Sequence, residues 1–449
     1  MKVLISRSIV RCNHLTERTS TMFRRYIFKL VDFLKGSPVS KNLADIRAIS
    51  RNSFDLNGFT AFQEERLNKI LRYTKRNVSF YENLPIVFLK LPVLSKLDLR
   101  NNLSEFISKE YVIGQLKEVV TSGSTGLPFK VYQSKEKVHR NTADTIVFGE
   151  MGGLFLGNKL AYFKIWNNIN EKSWWLKRVQ NILPVDVLNL SDLRIKKLIG
   201  EMNKESNLNF LGYSSALESI SACVKRHNLH VDVRLDSIIT MSEGIGIEGR
   251  KNIQATFNCP VYARYSNVEN GIIAQQTSME SDRYLINSAS YYVEILDLNE
   301  DTPIADGIIG RIVITDFFNK GMPIIRYDTG DMGSKITLEE EGSIKEYLLD
   351  VGGRRMDAIY NTKGDLISSF VITNGTWNYA ELLQYQFFQK GLKEYGFKLS
   401  VETNFEREEA LIDEFKVYLG KDALISIEYV NEIPVLASGK RRKVVNLMN

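Results

Sequence analysis

From about residue 117 onward, short apolar runs alternate with helix-period segments, and this alternation constrains the fold more than any other feature of the chain. LAYFKIW (160–166), LNFLGY (208–213) and LDSIIT (235–240) read as strands, with ALESISACVKRH (216–227) a helix candidate between them. An α/β fold of layered subdomains is therefore expected. Residues 280–350 differ, with YYVEILDL and GRIVITDF separated by turns, and read as a small β-rich subdomain appended to the layers. After Gly352-Gly353-Arg354 comes a further strand/helix mixture, expected to form a small mobile α+β domain. The chain divides on this reading into a basic N-terminal extension (1–58), a large domain (59–352) and a C-terminal domain (353–449).

The 449 residues are 44% hydrophobic and 25% charged, the balance of a soluble globular protein. No uncharged apolar run approaches the ~18 residues of a membrane-spanning helix. Arg7 and Arg11 interrupt the start before a signal-peptide core develops, so the chain reads as unexported and cytoplasmic. Cys12, Cys223 and Cys259 lie too far apart for a disulfide framework or a zinc ribbon. His227 and His230 read as a surface helix end rather than a metal pair.

The net charge of +6 is concentrated. Residues 1–35 carry Lys2, Arg7, Arg11, Arg18, Arg24, Arg25, Lys29 and Lys35 against Glu17 and Asp32, and the rest of the chain is neutral. This distribution gives poor support to a general nucleic-acid-binding surface. Within MFRRYIFKLVDFLK (22–35), Phe23, Tyr26, Ile27, Leu30 and Leu34 fall along one side of a helix. That stripe either packs on the main domain or rests on an anionic membrane. A second helix is expected at 59–76.

Three segments carry chemistry. In Thr121-Ser122-Gly123-Ser124-Thr125-Gly126, glycines let backbone N–H groups converge and hydroxyls add donors, which suits the phosphates of a nucleotide. No Gly-Lys-Ser/Thr closes it, so it is not a Walker loop. Arg326-Tyr327-Asp328-Thr329-Gly330-Asp331 offers an acid after a glycine turn, placed to accept from ribose hydroxyls. The tail Pro434–Lys440 presents one lysine from a turn. Each segment alone has an ordinary reading, as a flexible turn, a turn motif or a solvated basic face.

In this order and spacing the three resemble the acyl-adenylate-forming superfamily, in its phenylacetate–CoA ligase and capsule-biosynthesis (CapK-like) branch. The opening Gln63–Leu67, Asn77–Tyr81 and Leu91-Pro92 also resemble that branch, so the likeness spans roughly residues 60–449. It implies ATP and Mg²⁺ as cofactors, a carboxylic acid as substrate, and CoA or a glycan intermediate as acceptor. By resemblance, Ser122–Gly126 wraps the ATP phosphates, and Ser242-Glu243-Gly244 is the short segment beside adenine. Tyr265-Ser266-Asn267-Val268-Glu269 matches the Tyr-Gly-x-Thr-Glu motif, with Tyr265 stacking on adenine and Glu269 ligating Mg²⁺. Asp331 binds ribose, Arg354 falls in the Gly-Arg-x-Asp-Asp hinge, and Lys440 is the catalytic lysine. Val268 replaces the threonine that contacts the α-phosphate, and Met356 replaces the first hinge aspartate. Two rival readings stand beside this one. Gly244-Ile245-Gly246-Ile247-Glu248-Gly249 spells a GxGxxG with Glu269 twenty residues on, as in NAD(P)-binding oxidoreductases. A non-catalytic remnant of the adenylating fold is the other.

Overall fold

The computed structural model describes residues 19–51, 54–121, 129–166, 173–188, 190–351, 359–367, 372, 375–376, 379, 381–401, 405–434 and 441–448. Helix α1 (residues 19–34) leads into α2 (Pro38–Arg51), α3 (Leu56–Asn77), α4 (Lys96–Asn101) and α5 (Leu103–Phe106). The start of α3 is set by Asp55, whose side chain accepts from Gly58 N, and Lys75 and Arg76 sit in its last turn. Both ends thus suit the helix dipole. Its buried residues Phe59, Gln63, Leu67, Ile70, Leu71 and Thr74 recur every three or four positions, which is why the sequence marked a helix here.

Strands β1 (Lys117–Thr121) and β2 (Phe129–Gln133) form an antiparallel pair with Thr121 opposite Phe129. Helices and strands then alternate: α6 (Lys135–Met151), β3 (Leu160–Lys164), α7 (Trp174–Val179), β4 (Ile182–Asp186) and α8 (Asp192–Met202). Next come β5 (Asn207–Tyr213), α9 (Ser214–Arg226), β6 (Arg234–Met241), α10 (Ile247–Phe257) and β7 (Val261–Asn267). The run β8 (Gly271–Gln276), β9 (Tyr284–Ile286), β10 (Tyr291–Leu296), β11 (Gly310–Asp316), β12 (Tyr327–Glu340) and β13 (Ser343–Leu349) has no intervening helix.

One eleven-stranded sheet collects them in the order β10-β11-β12-β13-β9-β8-β7-β6-β5-β3-β4. From β4 to β7 every pairing is parallel, as expected from the crossover helices. From β7 to β10 every pairing is antiparallel. The β-rich stretch 280–350 is therefore continuous with the α/β layer rather than a separate sheet or barrel, because β9 bridges β8 and β13. Strands β5 and β6 are buried almost end to end, as strands covered on both faces must be. Phe163, Phe210, Leu217, Ile238, Ile253 and Phe257 share this core. Gly212 is required there, since a Cβ on it would stand 2.4 Å from Phe163 Cβ.

The remaining described residues build β14 (Ile359–Tyr360) against β15 (Leu366–Ile367), then a second sheet. It contains β16 (Leu382–Gln389), β17 (Glu394–Val401), β18 (Leu424–Tyr429) and β19 (Val444–Asn446) in the order β18-β17-β16-β19. Helix α11 (Glu408–Leu419) makes the crossover between the parallel strands β17 and β18. Phe387, Phe397 and Phe415 anchor a core of their own, the small α+β arrangement expected of this end.

Helix α1 departs from the packing alternative. Phe23, Tyr26, Leu30 and Leu34 are exposed, and Phe28 is the side chain that packs against the Val39, Ile46, Ala143 and Val147 cluster. The helix is rotated because Asp32, on the side of Phe28, is buried and accepts from Val39 N and Ser40 N.

Candidate active site

The carboxyl ends of parallel strands are where open α/β sheets bind ligands, since the connecting loops diverge there. Glu243 follows β6, Tyr265 and Ser266 close β7, and Glu269 sits in the turn 268–270 leading to β8. This turn lies where the sheet changes from parallel to antiparallel. The register shifts between Tyr265 and Ser266, a bulge that re-aims side chains at the end of β7. Gly271 accepts φ +108 at the start of β8, where a Cβ would press to 2.8 Å from Asn141 Oδ1.

Strand β12 closes the site from the antiparallel half. The Tyr265 hydroxyl donates to Asp331 Oδ2 (2.9 Å) and to Thr329 Oγ1 (3.3 Å). Burial, with the nearby Asp331 carboxylate, pushes the Tyr265 phenol well above its ordinary range, so it stays a donor. Tyr327 donates to Glu269 Oε1 at 3.0 Å, and its phenol is raised by burial and by Glu269. Lys96, in the first turn of α4, pairs with the same Glu269 oxygen at 3.0 Å. Glu269 is buried, and Val268 beside it is 49% exposed.

A polar relay holds the turn. Lys137 and Asp316 are both buried and pair at 2.6 Å, and the Lys137 ammonium also donates to the Tyr291 hydroxyl. Tyr291 in turn donates to Asn270 O, fixing the residue after Glu269. The Gln133 amide at the end of β2 donates to Val268 O and Glu269 O. Through Gln133, the β1–β2 pair is tied to this same turn.

Glu243 lies next to Ser242, whose φ of 69° is a left-handed conformation costly for a non-glycine residue. Its Oε2 accepts from Ser215 N at the start of α9, while Oε1 is buried with no hydrogen-bond partner among the described residues. Glu218, one turn into α9, pairs at 2.6 Å with Lys443. That pair joins helix α9 to the residue that leads into β19. Burial lowers the Lys443 pKa, but the neighbouring Glu218 carboxylate outweighs it and raises the ammonium's pKa above its ordinary value.

The structure thus brings together Tyr265, Glu269 and Asp331, with Ser266 on the same strand end and Glu243 following the neighbouring β6. For Thr121 only the backbone is described, as the last residue of β1. Ser122, Gly123, Ser124, Thr125, Gly126, Arg354, Met356 and Lys440 lie outside the described residues. Sequence reasoning missed Lys96 and the Glu269 contact of Tyr327. Tyr327 stood inside the quoted Asp331 segment, whereas nothing around Lys96 marked it. Nor did sequence spacing show that Asp192 approaches His227 (2.5 Å) and Cys223, since it comes from another helix.

A Mg²⁺ ion fits Glu269 in donor chemistry, being a hard carboxylate whose hydrogen bond from Tyr327 and ion pair with Lys96 both fall on Oε1. Mg²⁺ is held by one or two carboxylates plus substrate phosphates, so a lone glutamate here requires the nucleotide to complete the shell.

Residues 359–447 match the family model described as the CapK C-terminal domain. Over 421 residues the chain is 23% identical to Protein CapK of Staphylococcus aureus, covering 87% of this chain and 90% of that protein. Among solved structures, 2-hydroxyisobutyryl-CoA ligase in its postadenylation state with 2-HIB-AMP superposes with a TM-score of 0.67. It shares 15% identity, over 86% of this chain and 88% of that one. The anthranilate CoA ligase AuaEII with anthranoyl-AMP gives 0.53 at 12% identity, over 74% and 66% of the two chains. The amide bond synthetase McbA from Marinactinospora thermotolerans gives 0.52 at 14%, over 74% and 68%. The chain thus resembles CapK in sequence and these ligases in fold.

Proposed function

We propose, for a chain with the adenylate-forming fold and a CapK C-terminal domain, that it uses ATP and Mg²⁺ to convert a carboxylic acid to an acyl-adenylate in the cytoplasm. The observation that carries this reading is the convergence of Tyr265, Glu269 and Asp331 at the junction of the parallel and antiparallel halves of the sheet. Asp331 accepts from the ribose hydroxyls, with Tyr265 fixing its carboxylate and offering its ring to adenine beside Glu243. The backbone and hydroxyls of 122–126 hold the β- and γ-phosphates. Glu269 is the Mg²⁺ ligand, and the ion when bound neutralises phosphate charge. Lys440 places its ammonium where charge builds as the substrate carboxylate attacks the α-phosphate and pyrophosphate leaves. Arg354 belongs to the hinge between a large domain ending near 352 and the C-terminal domain that follows. The covalent chain keeps Lys440 within about 11 Å of Lys443 in Cα separation, so the Lys443–Glu218 pair limits how far Lys440 ranges.

The acyl group then passes to CoA, or to an amine or hydroxyl of a surface-polysaccharide intermediate. The CoA ligases among the structural relatives support the first acceptor, and the CapK likeness supports the second. Acid-dependent exchange of pyrophosphate into ATP, screened over aryl, aliphatic and amino acids with Mg²⁺, tests the reading. No exchange across the panel, together with no calorimetric ATP binding, would overturn it. ATP binding without exchange would favour a non-catalytic remnant, and CoA consumption on any active acid separates the acceptors. Gly246 does cap α10 between parallel β6 and β7, as a dinucleotide fold requires. Binding of NAD(P) in place of ATP would favour that reading.

A further inference from the structure

Helix α1 is amphipathic in the reverse of the usual sense. An ordinary surface helix turns its apolar stripe to the core. Here Thr21, Arg25, Phe28 and Asp32, spaced four, three and four apart, form the side that meets the protein. A Cβ added at Gly157 would stand 2.7 Å from Thr21 O, so the two backbones are in close approach. Arg25 Nε donates to Leu156 O at 2.7 Å, Phe28 packs beside α2 and α6, and Asp32 accepts from Val39 N and Ser40 N.

The outer side carries Met22, Phe23, Tyr26, Ile27, Leu30, Val31, Phe33 and Leu34. Phe23 is 64% exposed, Tyr26 67%, Phe33 71% and Leu34 74%. Scattered exposed hydrophobics need no explanation, but eight on one face of a four-turn helix do. At 100° per residue, Arg24 and Lys29 flank this face, and Lys35 follows its end.

We infer that α1 is a peripheral anchor whose apolar face enters the interface of an anionic lipid bilayer. Charge chooses this occupant. A second copy docked through the same patch would set the basic rim of one helix against that of its twin. Anionic head groups instead meet Arg24, Lys29 and Lys35 while the acyl boundary receives the rings and aliphatic side chains. No described helix is long and apolar enough to cross a membrane, so the helix lies in the interface plane. This inference is independent of the adenylation reading, because its measurement is binding and not activity.

The test is sedimentation of the full chain with phosphatidylglycerol–phosphatidylcholine vesicles and with phosphatidylcholine alone. The full chain is expected to pellet with the anionic vesicles at low salt and to be released as salt rises, since the attraction acts over about one Debye length. A Phe23→Ser/Tyr26→Ser/Leu30→Ser/Leu34→Ser variant alters only exposed side chains and should keep its thermal midpoint. Its partitioning should fall by about tenfold or more. Charge reversal at Arg24→Glu/Lys29→Glu should remove the preference for anionic lipid. Absence of pelleting at low salt, or equal pelleting of the wild type and the serine variant, overturns the proposal. A dimer in sedimentation velocity that the serine variant abolishes, with no vesicle binding by either form, overturns it in favour of a second copy.

Discussion

The Tyr265 hydroxyl donates a 2.9 Å hydrogen bond to Asp331 Oδ2, joining β7 to β12 across 66 residues of chain. The bond holds the carboxylate that we propose receives the ribose. Asp331→Ala should weaken ATP binding by about 10- to 100-fold, the loss for hydrogen bonds to a charged group. Tyr265→Phe keeps the ring and should lose less than about tenfold. Isothermal calorimetry distinguishes the two, and unchanged affinity in Asp331→Ala would remove the ribose assignment.

Glu269→Gln retains an oxygen for Tyr327 but leaves Lys96 facing a neutral amide. The Mg²⁺ concentration for half-maximal exchange should rise at least about tenfold, since even outer partners of a metal are worth that much. A Mg²⁺ titration of the variant that overlays the wild type would exclude Glu269 as a ligand.

Lys440→Ala should slow adenylation by about 10²–10³ while ATP binding survives, as for loss of one transition-state charge partner. Equal exchange rates in variant and wild type would leave the reaction without its central cation.

Lys443→Met strands Glu218 as a buried carboxylate with no cation. Breaking a buried pair from one side typically costs about 3–5 kcal/mol. Adding Glu218→Gln should recover part of that loss. A double-mutant cycle on denaturation midpoints measures the coupling, and strictly additive effects would show that the contact contributes nothing.

Asp32 gives a pH dependence with a definite sign. Burial raises its pKa, but hydrogen bonds from Ser40 and Val39 outweigh this and hold it below the ordinary carboxylate value of 3.8. A depressed folded value means the stabilisation is present above the ordinary value and disappears as pH falls through the folded one. The protection of the Val39 and Ser40 amides relative to intrinsic exchange should therefore fall on acidification below about pH 4. Asp32→Asn should show the lower protection already at neutral pH, with little further loss on acidification.

The parallel half of the sheet was legible because strands buried on both faces are written as unbroken apolar runs, as in LNFLGY and LDSIIT. Periodicity also located the apolar stripe of α1, but a period states only that a face exists. Which side meets the protein was decided by Asp32 and Phe28, two residues outside the stripe. Tyr265, Glu269 and Asp331 were readable as motif positions. Lys96 was not, because it reaches Glu269 from a helix 173 positions earlier in the chain, and no local pattern encodes a partner that distant. Continuity of β9 with β8 was hidden for the same reason: a three-residue strand carries too little pattern to announce which edge it joins.

Every contact that defines the candidate site is long in sequence: 58 residues from Glu269 to Tyr327, 66 from Tyr265 to Asp331, 225 from Glu218 to Lys443. Such contacts form only after long loops have closed, so they come late as a chain acquires its structure. A nearly finished molecule can hold its βα layers and still have nowhere to receive a nucleotide. On the proposed adenylating reading, ATP at 100 times its dissociation constant favours the finished state by about 2.7 kcal/mol. Because it binds only after the slow closures, it should raise the yield of refolding without hastening any step before them, and lengthen the lifetime of the native state.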